Sequence, residues 1–275
     1  MDIGPVGVWG HGSWSEFGDP SALAELEHLG YGTAWLGGSP PADLSTIEPI
    51  LAASTSLVVA TGIVNVWDAD PTVAVGGYHR VAAAYPDRLV LGIGAGHRPL
   101  VGERYTKPYD KLVSYLDVLD EGGVPESGRV LAALGPKVLR LAGERTAGAH
   151  PYLTTPEHTA QAREILGPDK LLVPEQKVVL STDPDEARAL ARERLEMYYR
   201  LPNYTNNWLR LGFTEADITD GGSDRLVDAL VAWGDEEAIR ERIQAHRDAG
   251  ADQVAIQVLN ENRLPVLRAL SAALV

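Results

Sequence analysis

The chain contains no cysteine and only two methionines and two phenylalanines in 275 residues. Without a thiol there is no disulfide framework, no thiolate metal site and no cysteine nucleophile, so any redox role needs a bound cofactor. Basic residues are also scarce: 24 Lys and Arg face 38 Asp and Glu, giving a formal charge of −14 and an isoelectric point near 4.9. Non-specific binding to nucleic acid or to an anionic membrane surface needs a basic patch, which argues against both partners. No run approaches the ~18 apolar residues of a membrane span. The start, MDIGPVGVWGHG, has no basic stretch leading into an apolar one, so a soluble cytoplasmic protein is expected. The HxH, HExxH and DxH spacings of metal sites are missing, as are GxSxG and SxxK. Neither a metal nor an activated serine is expected.

What is present is an ordinary supply of core: 45% hydrophobic and 23% charged residues, near the average for a globular protein. Short apolar runs alternate with helical segments, as a parallel α/β fold requires. Strands are expected at Ile3–Trp9, Gly32–Leu36, Ser56–Val66, Arg88–Ile93, Val130–Leu134, Ala149–Leu153, Lys177–Leu180 and Gln253–Leu259. The helices between them carry their own start signals: Asp19 with Pro20 and Asp70 with Pro71 are each a cap followed by a first-turn proline. Residues 203–233 read as a helical excursion before the last helix, Asp235–His246. Eight strands without a linker or composition break fit one (β/α)8 TIM barrel over residues 1–275, with the helical insertion between strands seven and eight.

Barrel enzymes place their chemistry on loops after the carboxyl ends of the strands. Strand four ends in Gly92, Gly94, Ala95, Gly96 and His97, where glycines permit close backbone approach and positive φ. The GxGxG spacing is not the dinucleotide fingerprint, and a tight turn at the barrel mouth is the competing reading. Strand three ends with Thr61, Gly62, Ile63, Val64, Asn65, Val66 and Trp67. Asn65 interrupts an apolar run and either caps a turn or presents its amide to a ligand. After strand five, Leu134, Gly135, Pro136 and Lys137 open a helix whose free N–H groups make an anion site, or else form an ordinary loop. Charge repulsion across the molecule is screened within about 8 Å, so a local nest with Lys137 can still bind an anion. Glu175 and Gln176 precede the expected seventh strand and are assigned to the structural face.

In order and spacing, ELEHLGYGTAWLGG, LVVATGIVNVW, PDRLVLGIGAGHRP, GPKVLRLAGERTAGAHPYL, STDPDEARALAR and HRDAGADQVAIQVL together resemble the bacterial luciferase-like superfamily. Within it they are similar to the deazaflavin (F420)-dependent oxidoreductases of actinobacterial type. The resemblance implies a homodimeric barrel that binds F420, or alternatively FMN, at the carboxyl ends of its strands. It implies a non-prolyl cis peptide at Gly62–Ile63 behind the ring, with Thr61, Asn65, Gly94, Ala95 and Gly96 also near it. The cofactor phosphate would lie on Leu134, Gly135, Pro136 and Lys137, where Leu134 replaces one glycine of a pair. Many relatives carry an Asp-His pair or another polar residue after strand two, whereas this chain has Gly37, Gly38 and Ser39. His97, where many relatives have an acid, is then the candidate proton donor or acceptor. Trp9, His11, Ser39, Trp67, Tyr152, Tyr204, Asn207 and Trp208 are candidates for a substrate wall, core packing being the alternative for each Trp. The expected activity is F420-dependent hydride transfer with a small organic substrate. FMN-dependent monooxygenation and flavin binding without catalysis are the competing readings.

Overall fold

A computed structural model describes residues 2–11 and 15–275. Its strands are β1 (Val6–His11), β2 (Thr33–Gly37), β3 (Val58–Gly62), β4 (Val64–Asn65), β5 (Leu89–Gly94), β6 (Arg129–Leu131), β7 (Gly148–Ala149), β8 (Leu171–Leu172), β9 (Glu175–Leu180), β10 (Val231–Gly234) and β11 (Val254–Val258). All pairings are parallel, in the order β10-β9-β11-β1-β2-β3-β5-β6-β7-β8, with β4 on β5.

The row closes on itself through one stretch of chain. Leu171 and Leu172 pair with Gly148 and Ala149, while Glu175 to Val178 pair with Ala255 to Val258. Between them Val173 N–H donates to Ala149 O at 2.9 Å and Ala255 N–H donates to Pro174 O at 3.0 Å. Segment 171–180 is therefore the seventh wall of an α/β barrel, bridging β7 and β11. The sequence places this wall too late, at Lys177, because Pro174 has no N–H to offer a ladder and looks like a stop. Glu175 and Gln176 accordingly lie inside the wall strand rather than before it.

Two further expectations need correction. The excursion is not helical throughout: after the helices Pro202–Arg210, Glu215–Ile218 and Asp224–Leu230, Val231–Gly234 adds β10 to the free side of β9. The third strand is broken, with β3 ending at Gly62, a cis Gly62–Ile63 peptide, and β4 resuming at Val64. The cis bond is the one expected from the resemblance. A last helix, Arg263–Leu274, follows β11.

Alternation along the strands sorts the core into two layers. Val6, Val8, Ala34, Leu36 and Val59 join the cluster shared with the surrounding helices. Trp9, Trp35, Val58, Ala60, Val90, Val130, Val173 and Ala255 fill the barrel interior. The register lines up Trp9, Trp35, Ala60 and Val90 as one level, with His11, Gly37 and Gly62 as the next level toward the carboxyl ends.

The candidate active site at the carboxyl ends of the strands

The floor of the mouth is Trp9, which is 5% exposed. Its indole occupies room left by inward-facing glycines: a Cβ on Gly37 would stand 2.1 Å from the Trp9 ring, and one on Gly62 would stand 2.8 Å from its Nε1. That indole N–H is buried without a partner. His150 stacks on Trp35 at 4.1 Å and its Nδ1 lies 2.7 Å from Val173 O. A carbonyl only accepts, so Nδ1 carries the hydrogen and Nε2 is a bare lone pair, also buried without a partner. Burial lowers the His150 pKa to about 4, so the ring is neutral at pH 7. A donor and an acceptor without partners thus lie beside Gly62.

Beside this floor, and reaching below it toward the level of Gly7, lies a charged group. Glu175 and Lys177 project from β9 into the barrel and are 0% and 1% exposed. Lys177 Nζ donates to Glu175 Oε1 at 3.0 Å, to Tyr152 Oη at 2.8 Å and to Gln257 Oε1 at 2.9 Å. Lys177 and Gln257 are register partners across β9 and β11. Burial raises the Glu175 pKa, opposed by Lys177 and by the Leu153 N–H. Tyr152, 5.0 Å from Trp9 between ring centres, is held well above its ordinary pKa, first by burial and then by neighbouring Tyr198 and Glu175.

The insertion roofs the mouth. Tyr204 packs 5.1 Å from His97, 5.2 Å from Tyr198 and 6.1 Å from Tyr152 between ring centres. Asn203 Nδ2 reaches Gly96 O at 3.3 Å and His97 Nδ1 at 3.4 Å. His97 is half-buried at the start of a short helix, and burial lowers its pKa, so it is neutral at pH 7. Gly96 has φ +59°, which favours glycine, and Asn65 sits below it with Oδ1 accepting from Trp67 N–H at 3.2 Å. Trp67 Nε1 donates to Ala95 O at 2.8 Å. Asn65 therefore both caps a turn and supports the glycine loop.

On the far side, helix Pro136–Arg145 begins at Gly135 with no side-chain cap. The Lys137 ammonium lies 3.6 Å from the centre of the Tyr109 ring, a cation–π contact. The cation on this start is joined by one the sequence did not suggest: an Arg210 guanidinium nitrogen lies 3.9 Å from the Cβ position of Gly135 and 3.1 Å from Asn207 Oδ1. Asn207, 1% exposed, keeps its Nδ2 without a partner. His158 donates from Nε2 to Leu134 O at 2.9 Å, and its pKa is lowered first by burial, with Arg210 adding to the effect. A helix start, two cations and an unpaired amide suit an anion.

The structure brings most expected residues to this mouth, with three qualifications. Thr61 is fully buried and gives its hydroxyl to Gly92 O at 2.7 Å, linking two strands. Trp208 is fully buried in the core of the insertion, its Nε1 3.4 Å from Leu153 O. Pro136 has no N–H to offer. His11 ends β1 beside Gly38, and Ser39 is exposed with φ +56°. Glu175, Lys177, Gln257, Tyr198 and Arg210 were missed. A Glu and a Lys two apart in a strand, EQKVVL, were the available signal for the first two. A surface hollow of about 710 Å³ near Lys170 and Asp252 lies at the opposite end of the barrel, the face that serves stability in this architecture. Among the described residues no group of three or more His, Asp or Glu could hold a metal, and no helix is long and apolar enough to cross a membrane.

At the level of sequence, neither a protein-family model nor a curated protein matches the chain. Solved structures do match in fold. An F420-dependent secondary alcohol dehydrogenase in complex with an F420-acetone adduct superposes with a TM-score of 0.79 at 12% identity, covering 99% of this chain and 98% of that one. The coenzyme F420-dependent tetrahydromethanopterin reductase from Methanopyrus kandleri gives 0.72 at 13% identity, over 99% of both chains. The oxygenating constituent of 3,6-diketocamphane monooxygenase from Pseudomonas putida, in complex with FMN, gives 0.69 at 15% identity over 98% and 96%. The fold is theirs. At these identities the likeness speaks for the barrel alone.

Proposed function

We propose that this protein is a luciferase-like oxidoreductase that uses F420 to transfer hydride to or from a small organic substrate. The observation that carries this reading is the mouth itself: unpaired buried polar atoms on Trp9, His150 and Asn207 lie beside glycines and an uncapped helix start. A flat ring with a phosphate-bearing tail fits such a set, since a buried polar atom without a partner costs about 1–3 kcal/mol and a ligand can satisfy it. Gly62, Ile63, Gly94, Ala95 and Gly96 would bed the ring, and Gly135, Lys137, Arg210 and Asn207 would hold the phosphate. The deazaflavin supplies hydride acceptance and donation when bound.

The residues do the rest. Trp9 and Tyr204 exclude water from the mouth, and His97 faces it as a neutral ring able to take or give a proton. General acid–base help of this kind is worth about 100- to 10,000-fold. His97→Ala is expected to lower turnover within that range while cofactor binding is kept; full turnover would remove His97 from the chemistry. A homodimer belongs to the same reading and is checked by sedimentation.

Fluorescence titration of the purified protein with F420 and with FMN tests the cofactor. Tighter binding of FMN would favour the monooxygenase activity of the FMN-bound fold relative instead. Binding without turnover over a broad substrate panel would leave a carrier. Failure to bind either would end the reading.

A further inference from the structure

The Glu175–Lys177 pair is not used by the reading above. A buried ion pair is weak evidence of stability, since apolar residues of similar volume often serve as well. Here it is also the inner end of a chain of hydrogen bonds. Lys177 Nζ reaches Tyr152 Oη at 2.8 Å, and Tyr152 Oη lies 3.0 Å from Tyr198 Oη. Tyr198 comes from the segment just before the insertion and is half-buried, beside Tyr204 and the mouth. Every step from Glu175 to Tyr198 is within hydrogen-bond distance, and the outer hydroxyl lies beside the roof.

We propose that Glu175 is the proton store of the active site, loaded and emptied through Lys177, Tyr152 and Tyr198. This rests on the oxidoreductase reading. When a substrate hydroxyl is oxidised, its carbon-bound hydrogen leaves with the electron pair as hydride, the part that the bound cofactor accepts. The hydroxyl proton passes to the Tyr198 oxygen as Tyr198 releases its own to Tyr152. Lys177, an ammonium that donates to both neighbours and has no lone pair of its own, first passes a proton to Glu175 Oε1; the amine so formed turns its lone pair to Tyr152, whose hydroxyl swings away from Gln257 Oε1 and gives up its proton. The three intermediate groups finish with the protons they started with, and Glu175 finishes as a carboxylic acid. Reduction of a carbonyl runs the same route backward. Tyr198 is the group that touches substrate; Tyr152, Lys177 and Glu175 act through it.

The surroundings suit a store. Glu175 is faced by Lys177 from its own strand, by Tyr152 from the segment after β7, and by Tyr204 from the insertion. Gln257 contributes a neutral amide oxygen that fixes both Lys177 and Tyr152. Burial favours the protonated carboxyl, while Lys177 and the Leu153 N–H favour the carboxylate.

Three variants test the relay: Glu175→Gln, Tyr152→Phe and the volume-preserving double variant Glu175→Gln with Lys177→Met, which removes the whole buried pair. Infrared spectra of the cofactor-free protein on acidification are expected to show a buried carboxylic acid in the wild type and to lack that band in Glu175→Gln. In the loaded enzyme, wild-type kcat/KM is expected to show a pH limb that all three variants lose, with kcat at least about tenfold lower and cofactor affinity unchanged. His97→Ala is expected to keep the limb. A limb that survives in Tyr152→Phe and in the double variant, or one lost only in His97→Ala, overturns the relay while leaving the oxidoreductase reading intact. Failure of the wild type to bind F420 or FMN is the separate result that removes the reading on which the relay rests.

Discussion

Trp9 shows how one side chain sets the shape of the mouth. Its indole fills space that Gly37 and Gly62 leave open, so the missing side chains after strand two serve packing as much as ligand access. Gly37→Ala is expected to cost about 1–3 kcal/mol, as overpacking does, with much of the loss recovered by adding Trp9→Leu. Urea denaturation of the single and double variants checks this, and equal losses in both would remove the contact as the cause. His246 makes a pH prediction of its own. It is fully buried, its Nε2 is 2.9 Å from Gln176 Oε1 and its Nδ1 2.8 Å from Thr159 Oγ1. Burial lowers its pKa to about 3, and that of His150 to about 4. The unfolded chain takes up protons near pH 6.5, whereas the folded chain holds both rings neutral. Their contribution is therefore complete above about pH 6.5 and is lost as pH falls toward 4. Glu175, whose folded pKa is raised, acts in the opposite direction as pH falls. Denaturant midpoints between pH 7 and pH 5 are expected to decline, and more gently in His246→Gln.

At the scale of elements, the decisive piece is segment 171–180, which serves as one wall although Pro174 interrupts its ladder. Its neighbours explain how: β7 takes the first half and β11 the second. The insertion is the other decisive element, because with Tyr198 just before it, it brings Asn203, Tyr204, Asn207 and Arg210 over three different strand ends. Arg210 lies next to the helix start at Gly135, so Arg210→Ala is expected to weaken cofactor binding by about tenfold or more. That corresponds to the loss of one charge-assisted contact, 1.5–3 kcal/mol. Titration of the variant with F420 measures it, and unchanged affinity would take Arg210 out of the anion site. Lys137→Ala is expected to matter less, since its ammonium is shared with Tyr109.

For the whole molecule, the −14 charge and the small positive region at Gly135 work against each other. An anionic cofactor approaches through a repulsive field before it meets Lys137 and Arg210. Salt screens the long-range repulsion over a Debye length of about 8 Å at physiological ionic strength, but screens the close contacts less. The association rate of F420 is expected to rise between low and physiological salt; stopped-flow fluorescence checks this, and a falling rate would mean that the local cations dominate the approach.

The amino-acid sequence by itself determined the alternation of strands and helices, the caps such as Asp19 and Asp70, and the glycine-rich strand ends, because each is written in neighbouring residues. It also pointed to His97 and the Gly135 helix start by their place after strands, and to the Gly62–Ile63 bond through the family resemblance. Only the tertiary structure decided what meets across the mouth. A linear reading leaves Glu175 on the structural face and Lys177 as the start of a strand, and only barrel closure turns them inward toward Tyr152 and Gln257. Tyr198 and Arg210 lie in a stretch without periodic signal, and their roles come from that stretch folding over the mouth, which sets Tyr198 beside Tyr152 and Arg210 beside Gly135. Local propensity is set by adjacent residues, whereas a site is set by distances between distant ones, and those exist only once the barrel has closed.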